Sequence, residues 1–389
     1  MSISFEDTAI AFQYKSDKAL KKAQILFAFM GSASATSMGI GLAKFGLKLN
    51  LPIKGIIKNT VFSQFCGGES LEEAAATAQL LHKYNVGVAL DYGVEGKSSE
   101  SDFDAAVPEF IKAIAYAAAQ PNIPFIPIKI TGFAKFALLE KLHAKESLTD
   151  EEQTQWERVW DRIDAICKKA FESDIRILID AEESWIQDPI DDLTNAMMAK
   201  YNKEKAIVYN TFQMYLHTSL PYLKKSLEIA QSQNFILGAK IVRGAYMEKE
   251  RARALDKGYL SPVQASKSHT DKDYDEAVQY CLENIDNIHI FIGTHNEHSC
   301  LMAVKQMETK QIDPKNPAVY FSQLFGMSDN ISFNLANAGY LICKYLPYGP
   351  VKDVMPYLMR RAQENTSVAG QTGRELALIN KELKRRSNK

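Results

Sequence analysis

The residues with most to offer chemically in this 389-residue chain fall into two sets. The first lies in YLPYGPVKDVMPYLMRRAQEN, residues 345–365. At about 100° per residue, Val351, Val354, Met355, Leu358 and Ala362 form one apolar stripe of a helix, while Tyr357, Arg360, Arg361 and Glu364 gather on another arc. Two adjacent guanidinium groups can receive a carboxylate through charge-assisted, bidentate hydrogen bonds, with Glu364 orienting one of them. The same spacing also suits a solvated face with an Arg360–Glu364 pair of small energetic weight. Periodicity alone leaves both readings open. The second set is Lys129, Asp180, Gln213, Arg243, His295, Gln323 and Tyr345, each late in a short apolar run. His295 and His298, taken with Asp180 and Glu182, also allow a metal-dependent hydrolase. Gly39-Ile-Gly41 lacks the third glycine and the preceding strand of a dinucleotide fingerprint, and neither a phosphate loop nor an H-E-x-x-H pair occurs.

The elements that must carry these residues follow one rule. From about residue 86 onward, β-branched or apolar runs alternate with stretches long enough for a helix, which is the pattern of βαβ units. Strands are predicted at 86–93, 124–131, 175–182, 207–215, 237–246, 288–295, 319–326 and 341–349. Between them the spacing of Tyr274, Ala277, Val278, Cys281, Leu282 and Ile285 predicts a helix with one buried face. Eight such units make an α/β chain of the (β/α)8 TIM-type barrel class, although an open doubly wound sheet has the same alternation. The barrel is favoured because strand C-termini converge on one mouth, whereas an open sheet spreads them along an edge. Residues 1–60 lack the alternation and read as an N-terminal helical arm, 61–375 as the barrel and 376–389 as a basic tail, frayed from Lys381. The SSESD cluster near residue 100 reads as a loop.

Composition narrows the function classes. Forty-six Lys and Arg against 47 Asp and Glu give a formal charge of −1, so there is no basic field for nucleic acid. The five cysteines are scattered without a C-x-x-C, which suits a reducing, cytoplasmic compartment. The N-terminus has acids where a signal peptide has bases, so secretion is not expected. Ala23–Ala43 is uncharged, but Ser, Thr and Gly dilute its second half, and a buried or interface helix is expected rather than a membrane span.

Several runs together resemble the proline dehydrogenase family: FIPIKITG around Lys129, ILIDAEES around Asp180, NTFQMYL around Gln213, KIVRGAYMEKERARA at 240–254, IGTHNEHS around His295, FSQLFGM around Gln323, and the 345–365 segment. The resemblance covers roughly residues 60–370. It implies a flavin-dependent barrel that oxidises L-proline to Δ1-pyrroline-5-carboxylate, with FAD at the strand C-termini and a membrane quinone as acceptor. Arg360, Arg361 and Lys129 then match the residues that hold the proline carboxylate, and Tyr345, Tyr357 and Leu324 those around the ring. Glu364 matches the partner of an arginine, and Asp180 the acid beneath the site. Gln213, Lys240, Val242, Arg243, Gly244, Ala245, Tyr246, Lys267, Thr294, His295, Asn296 and Gln323 match flavin-contacting positions. Lys240 and Met247 stand where the bifunctional bacterial branch has Arg and Trp, and both resemble the monofunctional mitochondrial branch. The resemblance also implies peripheral contact with the inner face of a membrane. A separate Δ1-pyrroline-5-carboxylate dehydrogenase is expected to take the second step, since no further catalytic domain follows residue 389. A non-catalytic binding barrel remains the alternative in another class.

Overall fold

The computed structural model describes residues 3–32, 34, 36–39, 41, 54–93, 98–367 and 371–388, without the side chains of 363–367 and 371. Eight strands follow one another in sequence order around a closed barrel. They are β1 (Gly87–Tyr92), β2 (Phe125–Ile128), β3 (Arg176–Ile179), β4 (Val208–Gln213), β5 (Leu237–Val242), β6 (Ile288–Gly293), β7 (Val319–Leu324) and β8 (Ile342–Tyr348). The barrel, and not the open sheet, is therefore the architecture. Each strand is shorter than its apolar run suggests. Lys129, Asp180, Arg243 and Thr294 follow directly after the last strand residue of β2, β3, β5 and β6, where polar side chains are released from the packed wall.

Helix starts are set by short polar caps. Ser70, Ser99, Thr149, Ser266 and Asn296 each accept a backbone N–H of the first turn, and Thr149 with Glu152 completes a capping box. The serine-rich run near residue 100 is accordingly not a loop. Ser99 caps the helix Glu100–Ala118, because a side chain that favours turns is equally suited to a first helical turn. On the helix Lys267–Glu283 the buried face holds Tyr274, Ala277, Val278, Cys281 and Leu282, as its spacing predicts, whereas Ile285 lies past the helix end and is half-buried.

The chain comprises two compact units. In the unit Gly96–Ser322, β2 to β7 pair in parallel, with registers such as Ile126↔Ile177, Ile177↔Val208, Asn210↔Ala239, Ala239↔Ile290 and Ile290↔Val319. The N-terminal ends of these strands are filled by aromatic rings. Phe125 packs edge-on against Tyr209, Phe291 and Tyr320 with centroids 5.6, 4.9 and 4.9 Å away, and the Arg176 guanidinium lies over Phe125 and Tyr320. That end is a packed floor, so chemistry belongs to the other.

The second unit, Met1–Glu95 with Gln323–Lys389, pairs β1 with β8 from Gly87↔Cys343 to Tyr92↔Tyr348. Its helices Asp17–Met30, Val351–Ser367 and Gln371–Ser387 share one core that includes Phe27, Met30, Val354, Leu358, Leu378 and Ile379. The 376–389 stretch is thus not a frayed tail. It is helical to Ser387, with Arg386 donating to Asp17, to Phe12 O and to Lys15 O. Lys381, Arg385 and Arg386 pair with fixed acceptors, which composition does not reveal. Residues of Ala23–Ala43 up to Met30 belong to the helix Asp17–Met30, while 42–43 lie outside the described residues. Among the described residues no helix is long and apolar enough to cross a membrane.

A buried polar knot ties this unit together. Asp329 meets Lys344 at 2.9 Å and Lys15 at 3.1 Å and accepts from the Tyr14 hydroxyl at 2.8 Å. These cations overcome its burial and hold its carboxyl down at about 2. Glu375, on the last helix, accepts from Ser328 N, but burial and the neighbouring Asp329 push its carboxyl up from 4.5 to about 7. A raised folded-state value means stability that is fully present below pH 4.5 and is lost as the pH climbs to about 7. We therefore expect urea unfolding of Glu375→Gln to lose less stability than wild type between pH 4.5 and 7.5, by on the order of a few kcal/mol. Identical pH profiles would show that Glu375 does not ionise within the fold.

Candidate active site

In the unit Gly96–Ser322 the sequence-predicted residues converge in two polar groups. The first centres on Asp180. Its Oδ1 lies 2.6 Å from Lys240 Nζ and its Oδ2 3.2 Å from Lys129 Nζ. Lys240 lies on β5 and Asp180 just past β3, so the bond passes across β4, which requires both side chains to point inside the barrel. Next to Asp180 in sequence, Glu182 accepts from Thr131 N at 2.9 Å and Thr131 Oγ1 at 2.5 Å, and burial pushes its carboxyl up to about 7.

The second group centres on Arg243. Its Nε donates to Asp271 at 2.7 Å, Nη1 to Thr294 Oγ1 at 2.7 Å and Nη2 to Ser299 Oγ at 3.0 Å, and its plane lies 4.2 Å over Tyr274. Three of its five N–H groups are thereby committed, and among the described residues two remain for a ligand. Lys267, on an exposed first turn, donates to the same Asp271 at 2.6 Å. Asn296 receives its own backbone support from Thr294 Oγ1, and its Oδ1 caps the following helix. His295 is half-buried between them. Gln213 donates to Glu182 O at 2.8 Å and accepts from Ala245 N at 3.4 Å. Val242 ends β5, and its carbonyl accepts from Met214 N at 2.9 Å. Tyr246 packs with Tyr215 and Leu216, while Met247 is exposed.

Gly244 links these groups. Its φ is +121°, a conformation glycine adopts without penalty, and a Cβ there would stand 1.7 Å from the Tyr215 ring. The loop after β5 must therefore turn directly over Tyr215. Asp271, Ser299 and Tyr274 were not candidates on sequence grounds. The Lys267–Asp271 spacing of four and the Asn296 cap hint at the first two, but their shared contact with Arg243 is long-range.

In the unit Met1–Glu95 with Gln323–Lys389, Gln323 is buried and its Oε1 accepts from Ser332 at 2.8 Å. Leu324 ends β7, and Tyr345 is buried on β8, in register with Ala89. The helix Val351–Ser367 buries Val351, Val354, Met355 and Leu358, as its stripe requires. Arg361 is only 8% exposed, with its guanidinium 5.7 Å over the half-buried Tyr357, and Arg360 is partly covered. The solvated-face reading fails for Arg361. Glu364 is helical, but its side chain lies outside the described residues.

The donor set at the ends of β4 to β6 comprises ammonium, guanidinium, amide, hydroxyl and backbone N–H groups. Such a set fits the acceptor-rich pyrophosphate and ring carbonyls of a flavin dinucleotide. A metal centre fits less well. His298 is exposed, Glu182 and Asp180 are engaged by Thr131 and the lysines, and among the described residues no three His, Cys, Asp or Glu side chains gather.

The family model "Proline dehydrogenase" matches residues 74–374. Proline dehydrogenase 1, mitochondrial, of Dictyostelium discoideum is 36% identical, with 87% of this chain aligned to 67% of that protein. Hydroxyproline dehydrogenase of Xenopus laevis is 33% identical over 85% of this chain and 79% of its own length. In structure, proline utilization A from Bdellovibrio bacteriovorus shares the fold with a TM-score of 0.73 at 21% identity, over 92% of this chain and 38% of that one. The chain thus spans about two thirds of the first relative and well under half of the bacterial protein.

Removing the carboxylate that the buried Lys240 and the half-buried Lys129 share leaves two ammonium groups facing each other. Asp180→Ala should therefore lower stability by about 3–5 kcal/mol in chemical denaturation. Lys129→Met, which leaves the Asp180–Lys240 pair intact, should cost less. Equal and small losses would show that the cluster is solvated.

Proposed function

The chain belongs to the proline dehydrogenase family, and from that premise we propose that it oxidises L-proline to Δ1-pyrroline-5-carboxylate, the first step of proline catabolism, using FAD and a membrane quinone. The observation that best supports this reading is the burial of Arg361 beside Tyr357 on an amphipathic helix. A guanidinium and an aromatic ring side by side on one helix face are the groups that recognise a small molecule with a carboxylate at one end and an apolar ring at the other.

In this reading Arg360 and Arg361 hold the proline carboxylate, with Lys129 as a third cation fixed by Asp180. Glu364 orients one arginine. Tyr345, Tyr357 and Leu324 enclose the pyrrolidine ring, so that an anionic end and an apolar end are recognised separately. Arg243, with its two remaining N–H groups, Lys267, Thr294, His295, Asn296, Gln213, Gln323, Lys240 and the 242–246 backbone hold FAD. Bound there, FAD supplies the acceptor for a hydride from proline C5. The protein supplies orientation and charge: a fixed carboxylate keeps C5 in a near-attack position, and Lys240 and Arg243 favour negative charge developing on the acceptor. The quinone is met at a membrane surface, and a Δ1-pyrroline-5-carboxylate dehydrogenase receives the product.

The direct test is the visible spectrum of the flavin-loaded protein under anaerobic conditions. It should bleach on adding L-proline, and Arg361→Met should lower kcat/KM for proline roughly 10- to 100-fold while the protein stays folded. A spectrum that proline leaves unchanged overturns the reading.

Tyr345 sets the expected substrate preference. A hydroxyl on proline C4 would meet the volume of its ring, and its oxygen would be desolvated. L-proline should therefore be strongly preferred over trans-4-hydroxy-L-proline, and Tyr345→Ser should narrow the gap mainly by losing proline activity. Equal kcat/KM for the two substrates in wild type, or an unchanged ratio in the variant, would remove Tyr345 from the pocket.

A further inference from the structure

The unit Met1–Glu95 with Gln323–Lys389 contains a half-open cavity of about 950 Å³. Its walls are mainly apolar, formed by Leu26, Met30, Ile57, Val61, Met355 and Leu358 among others, and among the described residues no acidic side chain lines it. Three further apolar residues on its lining, Ile25, Phe29 and Ile56, are 72%, 47% and 65% exposed. Water-facing aliphatic and aromatic side chains around an apolar hollow mark a place for an apolar ligand. The polar lining has a definite chemistry. Lys22 gives one N–H to Ser63 Oγ at 2.8 Å and, among the described residues, keeps two for an acceptor. The Thr60 hydroxyl donates to Ile56 O at 2.6 Å, so among the described residues its oxygen is left to accept, whereas the Ser63 hydroxyl both accepts from Lys22 and donates to Thr60 O at 2.9 Å.

The cavity is also placed next to the proposed chemistry. Met355, Leu358, Met359 and Ala362 line it from the helix Val351–Ser367, whose other arc carries Tyr357, Arg360 and Arg361. Phe325, which follows Leu324 at the end of β7, forms another part of its lining. A helix with its side chains is only about 10–12 Å across.

We infer that this cavity binds the electron acceptor, a lipid quinone. The apolar tail lies along the aliphatic walls, and a ring carbonyl accepts from Lys22. The inference rests on the oxidase reading above and gives its acceptor a location. The balance is complete: the quinone takes two electrons and two protons from the reduced cofactor, which returns to its oxidised form, and leaves as the quinol. Lys22 suits the carbonyl of the oxidised ligand, while the Thr60 oxygen suits the new O–H of the quinol. Neither an amine nor a soluble sugar matches such a lining, but the carboxylate of a fatty acid would also meet Lys22, so the test must separate the two.

Ala19 and Thr60 line the cavity and are exposed, so a large side chain at either fills space without disturbing packed core. Binding of decylubiquinone to the flavin-loaded protein is measured by calorimetry in wild type, Ala19→Trp and Thr60→Trp, with dodecanoate as competitor. Steady-state KM for decylubiquinone and anaerobic bleaching by proline are recorded on the same samples. One quinone per chain should bind, each tryptophan should weaken binding and raise KM at least tenfold, and bleaching by proline should stay within twofold. Unchanged binding and KM in both variants would overturn the assignment, as would dodecanoate binding as tightly as the quinone. Loss of bleaching in wild type would instead count against the oxidase reading, while the calorimetry still decides the cavity.

Discussion

One carboxylate, Asp180, stands against two ammonium groups, Lys129 and Lys240, and the arrangement of the candidate site depends on it. Without Asp180 the two cations would repel each other in a medium that screens poorly. With it, residues from the ends of β2 and β3 and from β5 are fixed relative to one another. The barrel makes this geometry possible. Lys240 reaches Asp180 across β4 because alternate side chains of a closed sheet point inward. A second centre of the same kind, Arg243 held by Asp271, Thr294 and Ser299, organises the ends of β5 and β6.

Stability and chemistry occupy opposite ends of the strands. Toward the N-terminal ends of β2 to β7, rings of Phe125, Tyr209 and Tyr320 pack together with Phe291 of mid-β6, and Arg176 lies across Phe125 and Tyr320. At the C-terminal ends, buried polar groups are satisfied by one another through named hydrogen bonds, which keeps them rigid without neutralising all their donors. In the unit that carries β1 and β8, Asp329, Lys344, Lys15, Tyr14 and Glu375 form a comparable knot whose role is structural, since they fasten the turn before the helix Asp17–Met30, strand β8 and the last helix to the segment after β7. The helix Val351–Ser367 then has two faces with different work. One contributes to the apolar cavity, and the other carries the arginines.

Much of this was legible in the sequence because strand periodicity is local. All eight strands lie within the runs that β-branched residues mark, and the apolar stripe from Val351 to Leu358 is buried as spacing requires. The ends were less legible. The predicted run 175–182 extends past Ile179, since hydropathy does not register where hydrogen bonding stops. The charged C-terminal stretch read as a tail because its partners, Asp17 and the carbonyls of Phe12 and Lys15, are hundreds of residues away in sequence. The same limitation hid Asp271 and Ser299. Local spacing also could not choose between a solvated arginine and a buried one, and that choice was decided by the tertiary burial of Arg361.

The central claim is that Asp180 holds Lys129 ready for a carboxylate. It is tested most directly with a ring carboxylate that has no oxidisable amine, tetrahydrofuran-2-carboxylate, titrated into folded wild-type, Asp180→Asn and Lys129→Met protein. Both variants should raise its Kd at least tenfold, a change of about 1.4 kcal/mol. Wild-type affinity in Asp180→Asn would contradict the claim, because the lysine would then find its position without the carboxylate.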